Sequence, residues 1–122
     1  RVKKHFRYAD DIVIPAGNKP YLHQLLADIK KYMQRELHLT VKDNYQIYPV
    51  ASRGINFVGY IHFHTHTELR PRIKKSFARR VARIKKRSGH RLIHRKDQIS
   101  ISPYLGWAKH CDSKHLLKKL LG

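Results

Sequence analysis

Acidic side chains are scarce in this sequence. Eight Asp and Glu stand against 27 Lys and Arg in 122 residues, a formal net charge of +19. Such a surplus repels itself, and a compact fold carries it most easily beside a polyanion. Nucleic acid is therefore the expected partner, ahead of an anionic membrane surface. Cysteine occurs once, at Cys111. An internal disulfide is excluded and nothing points to an oxidising compartment, so the expected location is cytoplasmic. No apolar run approaches the roughly 20 residues of a membrane-spanning helix, so no membrane is expected. Internal repeats and low-complexity linkers are also absent. Hydrophobic residues make up 41% of the chain, enough for a core, which excludes wholesale disorder. The length allows one ordinary domain or two small lobes. The chain opens at Arg1, with neither Met nor a signal peptide, so a piece of a longer protein is expected.

Charge is unevenly spread. Six acids precede Arg70 (Asp10, Asp11, Asp28, Glu36, Asp43, Glu68), and only Asp97 and Asp112 follow it. Arg70 to Arg87 holds ten basic residues and no acid. A boundary near Pro71 is expected, giving a mixed part, 1–70, and a basic part, 71–122. The opening, His5 to Tyr8 and Ile12 to Ile14 split by Asp10-Asp11, fits a β-hairpin. Asn18 is an expected N-cap with Pro20 in the first turn. Leu22, Leu25, Leu26, Ile29, Tyr32, Met33 and Leu37 recur at helical spacing, predicting an amphipathic helix over 19–37. Short strands are expected at 39–42, 46–50 and 55–61, with 62–69 pairing back as a hairpin. From Pro71, Ile73, Phe77, Val81 and Ile84 mark one helical face, and Ser88-Gly89 ends it. A strand-like or irregular piece follows at Leu92 and Ile93. Ser102-Pro103 is expected to open a further helix. Asp112 or Ser113 would cap a last one bearing Leu116, Leu117, Leu120 and Leu121.

Tyr8-Ala9-Asp10-Asp11 is the sharpest local signal. Enzymes that join a 3′-hydroxyl to a nucleotide use two divalent metals, about 3.5–4 Å apart, to stabilise the attacking and leaving oxygens. Hard Mg²⁺ takes carboxylate oxygens, and a tight turn presents them without burying charge. Strand alternation would put Tyr8 and Asp10 on one face. The plain alternative is that Asp-Asp is only a turn, because Asp favours turns.

The flanking segments add to this. Arg7 to Ile14, the 19–37 helix running into Leu37-His38-Leu39-Thr40-Val41-Lys42, Arg53-Gly54-Ile55-Asn56-Phe57-Val58-Gly59-Tyr60, and Ser102 to His110 follow one another in order. Together they resemble the C-terminal part of a reverse transcriptase of the bacterial group II intron or diversity-generating retroelement type. The resemblance covers nearly the whole chain. It implies an α+β fold: a partial polymerase palm over 1–70, followed by a helical thumb over 71–122. It implies an RNA-directed DNA polymerase, with an RNA template, a DNA primer and dNTP as partners. Asp10 would be a ligand shared by two Mg²⁺ ions and Asp11 its neighbouring carboxylate. Tyr8 and Ala9 would lie near the primer end and incoming nucleotide. Lys42 would sit near the leaving pyrophosphate, able to neutralise charge or donate a proton; its plain alternative is a surface lysine. Arg53, Gly54, Phe57, Gly59 and Tyr60 would belong to the primer grip, with the glycines allowing close backbone approach; the plain alternative is a sheet strand with a turn glycine. The family's metal site also needs an Asp on an earlier strand. Only nine residues precede Asp10 and none is acidic. The implied object is a palm-end and thumb fragment, incomplete without the remainder of the parent polymerase.

The basic helix would contact phosphates of the template–primer duplex, supplying affinity without reading sequence. Lys75, Arg79, Arg80, Arg83 and Lys86 are the residues expected to do so, against the alternative of a solvated charge face. His62, His64 and His66 alternate at strand spacing. A flat strand sets them about 6–7 Å apart, too far for one zinc ion, so a polar hairpin facing nucleic acid is the ordinary reading. Tyr104 and Trp107 are expected in the thumb core rather than as a base-stacking platform. Cys111 is expected to be a small buried apolar residue. A second functional class stays open: a non-catalytic basic RNA-binding module, maturase-like or structural. Asp10 and Asp11 discriminate the two, since a pure binding surface gains nothing from carboxylates facing phosphates. A structural basic protein with a chance Tyr-Ala-Asp-Asp is the third.

Overall fold

A computed structural model describes residues 2–89 and 94–122. Leu92 and Ile93, expected as a strand-like or irregular piece, lie outside the described residues. The architecture is α+β, and the described residues form two small antiparallel sheets and five helices. The chain divides into two units, Arg1–Ser52 and Arg53–Gly122. The shift in charge composition at Pro71 falls inside the second unit, so charge and packing divide the chain at different places.

The first unit opens with β1 (Phe6–Tyr8) and β2 (Asp11–Val13), paired antiparallel with Tyr8 opposite Asp11. The turn is Ala9-Asp10, and Ala9 has φ 51°, the left-handed region that L-residues enter at a cost of about 1–2 kcal/mol. Helix α1 (Lys19–Leu37) begins as its sequence predicts: Asn18 Oδ1 accepts from the Tyr21 N–H at 3.2 Å. It ends where His38 adopts φ 52° and its N–H reaches Met33 O. The segments 39–42 and 46–49 form no strand. Their β-prone residues find no ladder partner, and strand propensity expresses itself only against a neighbour. Val50 instead starts the short helix α2 (Val50–Arg53). No described residue of the first unit is buried. Leu22, Leu25, Leu26, Ile29 and Met33 are half-buried, while Phe6, Tyr8 and Ile12 of the hairpin stay exposed.

The second unit is a meander, β3 (Ile55–Phe57), β4 (Tyr60–His62) and β5 (Thr67–Leu69), followed by α3 (Pro71–Ser88), α4 (Arg95–Ala108) and α5 (Lys114–Leu121). The strand expected over 55–61 is cut by a Val58-Gly59 turn, with φ 48° and 84°. Two consecutive positive φ values make the tight turn whose twist suits a hairpin. Phe77, Val81 and Ile84 of α3 meet Ile101 of α4, with Tyr104 and the α5 leucines Leu117, Leu120 and Leu121 against them. Phe77 is fully buried and stacks on Tyr104 at 5.1 Å, so Tyr104 belongs to the core as expected. Helix α4 starts at Arg95, not at Ser102-Pro103; Pro103 lies inside it. The missing Pro103 N–H costs one helical bond, and burial of Ile101 and Ala108 on either side holds the helix through it. Ser113 precedes α5, but its hydroxyl donates to Ala108 O at 2.6 Å instead of capping.

Trp107 rests on the Val58-Gly59 turn. A Cβ on Gly59 would lie 2.3 Å from Trp107 Cζ3, at φ 84°. A Cβ on Gly89, the left-handed cap of α3 at φ 59°, would meet nothing within 4 Å among the described residues. Gly89→Ala should cost only the left-handed conformation, about 1 kcal/mol. Gly59→Ala adds a clash with a packed indole and should cost about 3 kcal/mol or more. Urea unfolding of the two variants measures the difference, and equal losses would show that Trp107 does not pack there.

Candidate functional site: an acidic hairpin tip and a basic helix

The β1–β2 register decides how the acidic pair is presented. Asp10 occupies the turn and Asp11 is the first residue of β2, opposite Tyr8. The expectation that Tyr8 and Asp10 share a strand face is corrected: alternation stops at the turn, and Asp11 is the cross-strand neighbour of Tyr8. Arg7 Nε donates to Ala9 O at 2.9 Å, tying down the tip carbonyl. Asp10 and Asp11 are both exposed. Among the described residues neither forms an ion pair or a side-chain hydrogen bond. Among the described residues Asp43 is likewise unpaired, and Asp28 accepts only from Gln24 Nε2, at 3.1 Å. Glu36, Glu68 and Asp97 each hold a cation, and Asp112 Oδ2 accepts from the Thr67 N–H at 2.8 Å. Lys42 is exposed in an irregular segment and makes no ion pair with the hairpin. The two carboxylates are hard oxygen donors that suit Mg²⁺, but two fall short of a cage. Among the described residues no group of three His, Cys, Asp or Glu is placed to hold a metal ion.

The residues expected at a primer grip lie in the second unit. Arg53 ends α2 and Gly54 precedes β3. Both glycines are needed for close approach, and the groups that approach are the protein's own: a Cβ at Gly54 would lie 2.6 Å from Ile61 Cγ2, and Gly59 carries the Trp107 ring. Phe57 pairs with Tyr60. Tyr60 donates its hydroxyl to Trp107 O at 2.9 Å, with the rings 5.3 Å apart. Burial, then the nearby Cys111, raises the Tyr60 pKa, so it stays a neutral donor. Cys111 is half-buried, and burial pushes its thiol pKa up as well, which suits a structural residue better than a nucleophile.

The three histidines do not share a strand face. β4 ends at His62, whose Nδ1 lies 3.3 Å from Thr67 Oγ1. His64 is in the connection, and His66 stacks on Phe63 at 4.6 Å.

Helix α3 sorts its cations by partner. Arg70, just before it, donates to Asn56 Oδ1 at 2.8 Å; Lys74 pairs with Glu68 at 3.0 Å; Arg87 pairs with the buried Asp97. Lys75, Arg79, Arg80, Arg83 and Lys86 are exposed and, among the described residues, form no ion pair. At about 100° per residue they fall into two rows. Lys75, Arg79 and Lys86 form a ridge opposite the buried face. Arg80 and Arg83 lie on the shoulder with Arg87, where a cavity of about 320 Å³ opens toward the start of α4. His94, Lys96 and Asp97 complete that cavity. None of these three was expected in a site. Their signal was Asp97, a lone acid in a basic stretch, which marks the first turn of a helix.

The Arg87–Asp97 pair gives an asymmetric prediction. The Asp97 side chain is 3% exposed and its Oδ2 has no partner among the described residues, whereas Arg87 is 63% exposed. Arg87→Ala strands a buried carboxylate and should cost about 3 kcal/mol. Asp97→Ala frees an arginine that water can solvate and should cost about 1 kcal/mol. Denaturant unfolding reads both, and the reverse order would refute the pairing. Glu68 sets a pH dependence. Its hydrogen bond from Lys74 holds its pKa below the usual carboxylate value, against a smaller opposing effect of burial. A lowered folded pKa contributes stability above the unfolded value, lost as pH falls through the folded one. Both partners are well exposed, so the contribution is at most about 0.5 kcal/mol. Glu68→Gln should be less stable than the parent at neutral pH and equal to it in acid, as thermal melts at both pH values would show.

No protein-family model matches the chain, and no curated protein matches it, so the chemistry of these clusters rests on their own residues.

Proposed function

We propose that this chain is the palm-end and thumb part of an RNA-directed DNA polymerase, of the group II intron or diversity-generating retroelement type that its segments resemble. The observation that carries the reading is the Tyr8-Ala9-Asp10-Asp11 hairpin: an acidic pair at a β-turn, exposed and unpaired in a strongly cationic chain. Glu36, Glu68 and Asp97 hold cations and Asp112 holds backbone, whereas Asp43 is unpaired among the described residues but has no second carboxylate beside it. Two carboxylates left unmatched at a tip are available for a ligand.

In this reading Asp10 and Asp11 hold Mg²⁺, together with an Asp on a strand upstream of Arg1. When bound, the two ions supply charge stabilisation to the attacking 3′-oxygen and the leaving pyrophosphate. Tyr8, opposite Asp11, and Ala9, in the turn, border the primer end and the dNTP. Lys42 neutralises charge near the pyrophosphate. Arg53, Gly54, Phe57, Gly59 and Tyr60 form a hairpin base for the primer strand, with Tyr60 and Gly59 held by Trp107. The unpaired cations of α3 bind phosphates of the RNA–DNA duplex. No helix among the described residues is long and apolar enough to cross a membrane, and the cytoplasm is the compartment the reading calls for.

A non-catalytic RNA-binding module is the second reading, favoured by the α3 cations that form no ion pair among the described residues and by the lack, among those residues, of a third carboxylate beside Asp10 and Asp11. Primer extension separates the two. This polypeptide alone, with Mg²⁺ and a primed RNA template, should give no product. A version extended upstream through the next Asp-bearing strand should extend the primer, and Asp10→Asn in that version should lower the rate by at least about a thousandfold, the scale of losing a metal-based stabilisation worth several kcal/mol. Extension that survives Asp10→Asn would remove Asp10 from the metal site, and no extension by the longer version, or an upstream sequence without such a strand, would leave the binding module as the function.

A further inference from the structure

The cavity between α3 and α4 stands apart from the rest of the basic surface. It gathers Arg80, Arg83 and Arg87 from one shoulder of α3 and Lys96 and His94 from the start of α4, around a single carboxylate, Asp97. Asp97 is committed to Arg87. Among the described residues Arg80, Arg83 and Lys96 have no anionic partner. Convergent like charges in a concavity repel more strongly than the same charges on a convex ridge, because less water separates them. Helix α4 also begins here. His94 provides no side-chain cap, and Asp97 N and Gln98 N already bond His94 O. The N–H groups of Arg95 and Lys96 have no helical acceptor, so the positive end of a 14-residue helix adds to the same field.

The cavity beside β5 is the contrast. It measures about 180 Å³ and is lined by both signs, with Glu68 on Lys74 and Asp112 on the Thr67 backbone. Its charges are already matched. The α3–α4 cavity is charged in excess by one sign and, at about 320 Å³, has room for a tetrahedral anion with the sugar attached to it.

We propose that the α3–α4 cavity is a discrete seat for one phosphate group of a nucleic-acid strand, gripped by Arg80, Arg83 and Lys96, with Arg87 held in place by Asp97. The place of the seat follows from the cavity; the strand as source of the phosphate rests on the nucleic-acid reading above. Planar guanidinium forks at Arg80 and Arg83 suit two oxygens of one phosphate. Asp97 contributes by holding the third guanidinium, on the shared wall, in a fixed rotamer. The seat differs from the Lys75–Arg79–Lys86 ridge, which would meet phosphates one at a time and without a defined register.

Two double variants of the full chain test this. Arg80→Gln/Arg83→Gln removes two charges from the seat, and Lys75→Gln/Arg79→Gln removes two from the ridge of the same helix. All four residues are exposed, and thermal melts confirm that both proteins fold. Affinity for a fluorescent RNA–DNA duplex is measured by anisotropy over a salt series. The seat variant should bind at least about tenfold more weakly than the ridge variant, the loss expected for two charge-assisted contacts beyond general attraction. Equal losses overturn the seat and leave duplex binding intact. If the unaltered chain does not bind the duplex, the nucleic-acid reading fails. Inorganic phosphate then decides the seat: at matched ionic strength against chloride, it should raise the melting temperature of the unaltered chain and not of the seat variant. Absence of that difference removes the site altogether.

Discussion

Electrostatic imbalance governs this molecule. Each of its eight carboxylates can quiet at most one or two of 27 cations, so the position of every acid decides which cations are left active. Glu68 quiets Lys74 at the start of α3 and Asp97 quiets Arg87 at its end. Between them no acid intervenes, and the middle of the helix keeps its charge. Asp112 binds backbone, not a cation, and thereby fastens the α4–α5 junction to β5 through paired bonds with Thr67. The fold thus uses two of its acids at the ends of the basic helix and, among the described residues, leaves Asp10, Asp11 and Asp43 unmatched. The exposed Lys74–Glu68 pair adds little stability, so its main effect is on which cations stay unpaired, whereas Arg87 also serves a buried carboxylate.

Much of the fold is legible where sequence carries its own stop and start signals. Asn18, Pro20 and the leucine period define α1; Pro71, the Ile73-to-Ile84 face and Gly89 define α3. These are local interactions, formed within a turn or two of the residues that specify them. Failures come where the outcome depends on a partner. The 39–42 and 46–49 segments have β-prone residues and no strand beside them. Ser102-Pro103 looks like a helix start, yet burial of Ile101 and Ala108 carries α4 through the proline. Val58 at φ 48° is a position that propensity argues against, since a β-branched residue resists the left-handed region. The hairpin wins there because Trp107 packs on the adjacent glycine.

The candidate site is legible in a similar way. The hairpin bearing Asp10 and Asp11 follows from two β-prone runs and a turn, but which acid occupies the turn depends on a register that one residue of slip would change. The five α3 cations could be singled out by the absence of neighbouring acids, and among the described residues they form no ion pair, a property they share with Arg72 and Lys85 of the same helix. The division of those five into ridge and shoulder needs the helix phase relative to its buried face. The partnership of Arg87 with Asp97 spans a connection that sequence spacing does not fix. Gly54 and Gly59 show how a correct physical inference, close backbone approach, leaves open what approaches.

The two units differ in what holds them. Around Phe77 the second unit has a core of its own, whereas the first has no described residue fully removed from water. A two-stranded hairpin is marginal by itself, and a lone 19-residue helix is little better. β1 and β2 form a two-stranded sheet with exposed Phe6, Tyr8 and Ile12, which is a surface suited to further strands. Under the proposed function those strands come from the parent enzyme, and one of them carries the missing carboxylate. The same pairing would then bury the apolar hairpin, fix the Ala9-Asp10 turn in its strained conformation and complete the set of oxygen ligands. Stability and chemistry at the acidic tip would share one cause.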